Sequence, residues 1–349
     1  MKQIYILALI TFITCVKISA QTTDVVTGLD NPNFIKVKNN ELYISEFTGN
    51  KISKIDLNAI TPTTTDVITN VIDPYGIQFN GNDLYISESN EFKISTIDIS
   101  ETSPAATDVV TDLNLPTGIL LNGSDLYIAE TGEDKISKID INSDNPTITD
   151  IVTDLDNPID IVFHENNLYI SVRNENKISK IDLSATTLVA NDYITGINTP
   201  MGLVVNGSDL YVSEYESNKI SKIDLNSDNP TATDVVTDLE GPIGIAIFGT
   251  DLYISEILAN KISKFSLNTL SVEEFLLKNT VEVYPNPTSD YFQISGLIDI
   301  ENYSIYNNLG AKIKTGKISN QEKIDIQNLA NGLYMLKLEN GNKVKIIKK

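Results

Sequence analysis

Short apolar runs separated by polar residues recur along most of this chain. Asp-Leu-Tyr-Ile-Ser-Glu stands at Asp83–Glu88 and again at Asp251–Glu256, with near copies at Glu41–Glu46, Asp125–Glu130, Asn167–Val172 and Asp209–Glu214. Its Leu-Tyr pair begins at Leu42, Leu84, Leu126, Leu168, Leu210 and Leu252, a constant step of 42 residues. Six copies at one period predict a repeat architecture. Each copy holds four apolar segments. Thr-Asp-Val-Val-Thr or a variant starts at Thr23, Thr65, Thr107, Thr149, Asn191 and Thr233. A proline opens the second segment, as in Pro74-Tyr-Gly-Ile, Pro116-Thr-Gly-Ile, Pro200-Met-Gly-Leu and Pro242-Ile-Gly-Ile. The Leu-Tyr stretch is the third, and Lys-Ile-Ser-Lys-Ile-Asp from Lys51 and its copies is the fourth. All are short, rich in Val, Ile and Tyr, and bounded by Gly, Asn, Asp and Pro, so they read as strands.

Asn80-Gly-Asn-Asp, Asn122-Gly-Ser-Asp and Asn206-Gly-Ser-Asp join the second segment to the third. Asn-Gly supplies the positive φ angles of a tight hairpin, so these strands pair antiparallel. A four-stranded antiparallel sheet repeated six times predicts an all-β fold, a six-bladed β-propeller. A parallel solenoid fits badly, because hairpins within each unit do not make stacked parallel coils. The phase of the repeat also predicts how the ring closes. Thr23–Thr27 precedes any proline-led strand, so it should be the outer strand of the last blade, whose other strands come from residues 243–267. A competitor for that place, Ser-Val-Glu-Glu-Phe-Leu-Leu at residues 271–277, sits at the equivalent phase.

Pro-x-Gly-Ile, then Leu-Tyr-Ile-Ser-Glu, then Asn-Lys-Ile-Ser-Lys-Ile-Asp resembles the NHL-repeat pattern. It resembles more loosely the six-bladed propellers that include the gluconolactonase-like proteins. The resemblance implies that the Pro-x-Gly-Ile strand is innermost, where Gly allows close backbone approach. Gly76, Gly118, Gly202 and Gly244 keep that residue, whereas Phe34 and Asp160 replace it. Such blades host binding modules, scaffolds and enzymes alike, so the likeness speaks for fold rather than function.

After residue 277 the repeat stops. Tyr284-Pro-Asn-Pro-Thr-Ser-Asp, Asn308-Leu-Gly, Asn331-Gly-Leu-Tyr and a basic end at Lys348 and Lys349 follow among short alternating runs. This tail is similar to the C-terminal sorting domain of the type IX secretion system of the Bacteroidetes. The resemblance implies a small β-sandwich that engages the secretion machinery through residues 278–349, directs passage across the outer membrane and is commonly removed afterwards. At the other end, Lys2, an apolar run over residues 4–16 and Ile-Ser-Ala before Gln21 read as a secretory signal, too short for a good membrane span. Cleavage after Ala20 would remove Cys15, the one cysteine; the alternative is a lipoprotein acylated there. The expected division is thus a signal at 1–20, a propeller at 21–277 and a sorting domain at 278–349. The expected localisation is secreted or on the outer cell surface, with no membrane span after cleavage.

Charge sharpens the choice of partner. The net charge of −21 is unevenly spread: residues 21–277 carry −26 and residues 278–349 carry +3. So acidic a propeller argues against nucleic acid, whose phosphates need clustered Lys and Arg.

Candidate chemistry is sparse. Glu46, Glu88, Glu130, Glu214 and Glu256 end the Leu-Tyr strand in five copies, and Val172-Arg173 breaks the series in the fourth. These carboxylates either form an incomplete ring at the channel mouth, suited to a divalent cation or basic ligand, or accept backbone N–H groups and stabilise every blade alike. The loops that follow vary most, and Tyr215 in one of them shares a face with Phe34, Tyr75, Asp160 and Met201. Aromatics and carboxylates on such loops suit an extracellular glycan, peptide or protein. The ligand-binding candidates are therefore Glu46, Glu88, Glu130, Asp160, Arg173, Glu214, Tyr215 and Glu256. With one histidine, His164, in a turn on the opposite face, and no cysteine pair, zinc or copper sites of His/Cys type and a Ser-His-Asp triad are not indicated. No catalytic residue and no cofactor is assigned. The expected function is a non-catalytic binding module. The alternatives are a metal-dependent lactonase or lyase with channel carboxylates, and a structural adhesin.

Overall fold

The computed structural model describes residues 22–267, 281–297, 300–307, 310–338 and 343–349. The expected signal at 1–20 with Cys15, the segment 271–277 and the Asn308-Leu pair lie outside the described residues. The chain divides into two compact units, Met1–Asn268 and Thr269–Lys349.

The first unit contains six four-stranded antiparallel sheets, and its fold is a six-bladed β-propeller. Numbered along the chain, the innermost strands of blades one to six are Pro32–Lys38, Pro74–Asn80, Pro116–Asn122, Pro158–His164, Pro200–Asn206 and Pro242–Phe248. In blade one, Glu41–Glu46, Lys51–Asp56 and Thr65–Thr69 follow outward, each hairpin-paired with the one before. The sixth blade closes the ring by the predicted route. Thr23–Thr27 pairs with Lys261–Ser266, Val26 opposite Ile262, and occupies the outer edge of that sheet. Joining the first strand of the chain to the last blade locks the ring, because opening it costs a full ladder of hydrogen bonds and the apolar cluster of Leu29, Ile35, Ile44 and Ile262 beneath it.

Each seam between blades holds a comparable apolar cluster. At the first, Tyr43 and Ile52 of blade one meet Ile77, Leu84 and Ile86 of blade two. Near the axis, where strands converge, serine hydroxyls replace apolar contacts. Ser45 Oγ accepts the Phe34 N–H at 3.0 Å and donates to the Tyr75 carbonyl of the next blade at 2.6 Å. Ser87, Ser171, Ser213 and Ser255 repeat the link, the last one reaching Asn33 and so tying blade six to blade one. Blade three has Ala129 instead, and there Thr131 Oγ1 donates to the Pro158 carbonyl at 2.6 Å.

Turn chemistry follows the sequence closely. Gly81, Gly123, Gly207 and Gly249 hold φ of 58–66° between the first two strands of their blades. Blade four places Glu165 in that conformation at φ 54°. A side chain there is strained, so Glu165→Gly is expected to stabilise the protein by roughly 0.5–1 kcal/mol. A raised urea midpoint with an unchanged m-value is the expected reading.

The second unit is a small sandwich. A three-stranded sheet of Glu282–Tyr284, Tyr291–Ser295 and Lys323–Asp325 faces a four-stranded one ordered Lys312–Ile318, Glu301–Asn307, Gly332–Leu338, Lys343–Lys348. Phe292, Ile294, Ile305, Leu336 and Ile346 form its core, the inward half of the alternating pattern.

Candidate functional site

The residues that follow the proline of the six axial strands are Asn33, Tyr75, Thr117, Ile159, Met201 and Ile243. Phe34, Ile159, Met201 and Ile243 pack together there, and Tyr75, Tyr215 and Ile257 lie against them. Residues from blades on opposite sides of the ring can meet only at the axis. This cluster therefore marks one mouth of the propeller. Its aromatic rings are fitted to one another: Phe34 and Tyr75 have centroids 5.4 Å apart at 43°, and Phe47 stands edge-on to Tyr75 at 6.2 Å.

The glycine position explains the approach. A Cβ added at Gly118 would lie 2.5 Å from the Ile159 carbonyl oxygen and 2.7 Å from Asp160 Cα; one at Gly244 would lie 2.5 Å from the Asn33 carbonyl oxygen. The two copies with a side chain there, Phe34 in blade one and Asp160 in blade four, face each other across the ring. Asp160 is 5% exposed. Its Oδ1 accepts the N–H of Ile161 at 2.9 Å, and its Oδ2 accepts that of Leu203 in the next blade at 2.8 Å.

Burial pushes the Asp160 carboxyl up to about 6, while Lys36 and the two N–H donors pull it down. Lys36 belongs to blade one, so its field reaches Asp160 from across the axis. Burial likewise raises the Tyr75 phenol; Arg173 opposes this, and Asp160 and Tyr215 reinforce it. Asp160, Arg173 and Tyr215 thus all act on Tyr75, although the four residues come from three blades. An acid whose folded pKa exceeds its unfolded value of about 3.9 binds more protons when folded between those two values. Its contribution to stability is therefore largest below about pH 4 and falls as pH rises to about 6. Asp160→Asn should lose that part of the slope. Identical slopes in a urea-midpoint series from about pH 4 to about pH 7 would clear Asp160 of the effect.

The repeated glutamates lie elsewhere. Glu46, Glu88, Glu130, Glu214 and Glu256 are 1–3% exposed. Each accepts, at 2.8–3.0 Å, the N–H of a residue in the loop leading into its own blade: Asp30, Ile72, Asn114, Asn198 and Glu240. Ser53 donates to Glu46 at 2.5 Å, and Ser137 and Ser221 do the same for Glu130 and Glu214. The lysine opening the next strand stands 3.4–3.7 Å away in all five. The reading of these five as a carboxylate ring at the channel mouth is corrected: they are enclosed within their blades, because the loop N–H groups need an acceptor. Of the eight candidates, Asp160, Arg173 and Tyr215 all act on the Tyr75 phenol, and the five glutamates do not. Lys36 escaped the sequence reading. Its signal was present, since the other copies have Gln78, Leu120, Val162, Val204 and Ala246 there.

His164 ends its axial strand opposite Asn167, away from the mouth. Among the described residues, no three His, Cys, Asp or Glu side chains gather closely enough to hold a metal ion.

Residues 282–349 match the family model of the secretion system C-terminal sorting domain. The tail is a type IX sorting domain. It marks the chain for export to the cell surface or beyond, and no helix among the described residues is long and apolar enough to cross a membrane. The propeller is similar to several solved structures. A catalytically inactive histidine-to-alanine variant of virginiamycin B lyase from Staphylococcus aureus, with quinupristin, aligns at 19% identity over 78% of this chain and 95% of that one, with a TM-score of 0.52. A chain of a nidogen/laminin complex aligns at 18% identity over 65% and 89%, with a TM-score of 0.55. A luciferin-regenerating enzyme aligns at 11% identity over 70% and 95%, with a TM-score of 0.60. At these identities the likeness shows the β-propeller fold. Among curated protein sequences none matches.

Proposed function

We propose that the propeller, taken as residues 21–277, is a non-catalytic binding module exported by its sorting tail, and that the mouth around Tyr75 captures a glycan, peptide or protein. The observation that carries this reading is the packing of Tyr75 and Tyr215 against the apolar cluster of Phe34, Ile159, Met201 and Ile243, with the charges of Asp160 and Arg173 acting on Tyr75. The repeat is otherwise near-uniform, and these residues depart from it where a rigid scaffold presents variable loops. The similar folds named above include a lyase and a luciferin-regenerating enzyme, so a second reading stays in view: a metal-dependent lactonase or lyase using Asp160. The inactive lyase variant has lost a histidine, and the one histidine of this chain lies away from the mouth. That favours binding over lyase chemistry of that kind.

The test is a glycan and peptide array probed with the full chain and with Tyr215→Ala. Truncating one of the rings on the floor should weaken a mouth ligand about tenfold or more. Binding that ignores Tyr215→Ala would place the ligand elsewhere. A tightly held divalent ion in the purified protein, released by Asp160→Asn together with a hydrolytic or lyase activity, would favour the enzyme.

A further inference from the structure

One face of the tail carries charge that its own fold leaves uncompensated. The four-stranded sheet turns alternate residues toward the core, and the strand register fixes what the opposite face holds. One row across the sheet reads Thr315, Ser304, Lys337, Lys343. The next reads Lys312, Tyr306, Met335, Lys345, and beyond it stand Leu333 and Ile347. Lys317, opposite Asn302, flanks the first row. Among the described residues this face holds no Asp or Glu. Its lysines are exposed, and among the described residues none has an ion-pair partner. Ten lysines of the propeller do have one. Lys337 stands directly opposite Lys343, and like charges so placed oppose the pairing of their strands. Lysines on outer strands ward off further strand pairing, which accounts for Lys312, Lys317, Lys343 and Lys345. It does not account for Lys337, whose strand has a neighbour on each side. Between Lys312 and Lys337 the short side chain of Ser304 leaves a hollow of about 320 Å³, lined also by Asn302 and Tyr306. The strand bearing Lys343 and Lys345 is held along both edges. Asn286 donates its Nδ2 to the Lys345 carbonyl at 2.7 Å and accepts the Ile347 N–H at 2.9 Å.

We propose that this face docks an acidic segment of a partner protein, one that carries Asp or Glu beside aliphatic side chains. A carboxylate enters the hollow between Lys312 and Lys337, further acids meet Lys343 and Lys345, and aliphatic groups lie on Leu333, Met335 and Ile347. Uncompensated lysines gain from such a partner what the fold withholds from them. Three observations select this occupant. Leu333, Met335 and Ile347 are 39–44% exposed and lie within the sheet face, so they offer contact without projecting to enter a bilayer. An anionic membrane would also repel the −26 carried by the propeller of the same chain, whereas a segment meets the face alone. Tyr306, the ring on which a sugar would stack, already has the Lys312 Nζ over its face at 5.8 Å. Size points the same way. Four strands about 4.8 Å apart and three rows about 7 Å apart span roughly 14 Å in each direction, the footprint of a short segment rather than of a folded domain.

The experiment measures the binding of short fluorescent peptides to the full chain by anisotropy. One peptide carries Glu and Asp beside Leu and Ile, a second has Gln and Asn in place of the acids, and a third has Ser in place of the aliphatic residues. The first should bind about tenfold or more tighter than the other two, and lose that margin as salt rises from about 0.05 to about 0.5 M. Lys337→Gln combined with Lys343→Gln should weaken it about tenfold, while Tyr215→Ala in the propeller leaves it unchanged. Because the two lysines oppose each other in the fold, the thermal midpoint of the double variant should hold or rise. A fall in that midpoint would mean that the lysines serve the fold, and would overturn the proposal. So would equal binding of the acidic and neutral peptides, no binding of the first peptide, binding that ignores the lysine substitutions, or its loss on Tyr215→Ala. Phosphatidylcholine vesicles with and without phosphatidylglycerol are the competing probe. Vesicle binding that needs the same lysines, without peptide binding, would overturn the proposal in favour of a lipid surface.

Discussion

Gly244→Ala is expected to destabilise the protein by about 3 kcal/mol, at the upper end of what overpacking a tight site costs. The added Cβ would stand 2.5 Å from the Asn33 carbonyl oxygen and 2.8 Å from Phe34 Cα. Both obstacles are backbone, so no side chain can swing away. The seam concerned also joins blade six to blade one, through the Ser255 hydroxyl and the Asn33 carbonyl. Widening it weakens that bond as well as the packing of Leu29, Ile35 and Tyr253. Urea unfolding would read the loss as a fall in midpoint. Gly81→Ala serves as the control: no atom lies within 4 Å of its added Cβ, so only the strain of a positive φ remains, about 1 kcal/mol. Equal losses at the two positions would mean that close approach at the axis is not what Gly244 provides.

Glu214→Val should cost a comparable amount, about 3 kcal/mol, by the loss of a buried, paired and hydrogen-bonded carboxylate. The Asn198 N–H and the Ser221 hydroxyl lose their acceptor, and Lys219 loses the farther of its two carboxylates, at 3.4 Å, while keeping Asp234 at 2.7 Å. Blade four has already made this change. Val172 is buried, and Lys177 pairs with Glu175 and Asp192 instead. The converse substitution, Val172→Glu, is expected to stabilise by roughly 1 kcal/mol, since donors and a lysine already surround the site. A thermal shift of opposite sign for the two variants is the anticipated outcome. If Glu214→Val leaves stability unchanged, the repeated glutamate is not the blade's internal brace.

The same comparison shows how far the residues could be read in advance. The 42-residue period, the Asn-Gly hairpins and the phase of Thr23–Thr27 led directly to the sheets and to the closure, because each is a local rule repeated six times. The glutamates misled in part for the same reason. A residue repeated at every blade looks functional and structural alike, and only the loop N–H groups and the neighbouring serine reveal what it meets. Lys36 was overlooked because a lysine on a strand is ordinarily a solvated edge residue. Nothing near it in the chain indicates that Asp160 stands across the axis.

What the sequence determined by itself was periodic: strand identity, turn type, blade number, ring closure and the sorting tail. These depend on interactions between residues close in sequence or at a fixed spacing, and six copies average away the exceptions. What only the tertiary structure decided was convergence. Lys36, Tyr75, Asp160, Arg173 and Tyr215 are spread over about 180 residues, and no periodic rule relates them. The ring brings its innermost strands to one axis, where burial raises the Asp160 and Tyr75 pKa values and Lys36 and Arg173, each from another blade, oppose the shifts of Asp160 and Tyr75 respectively.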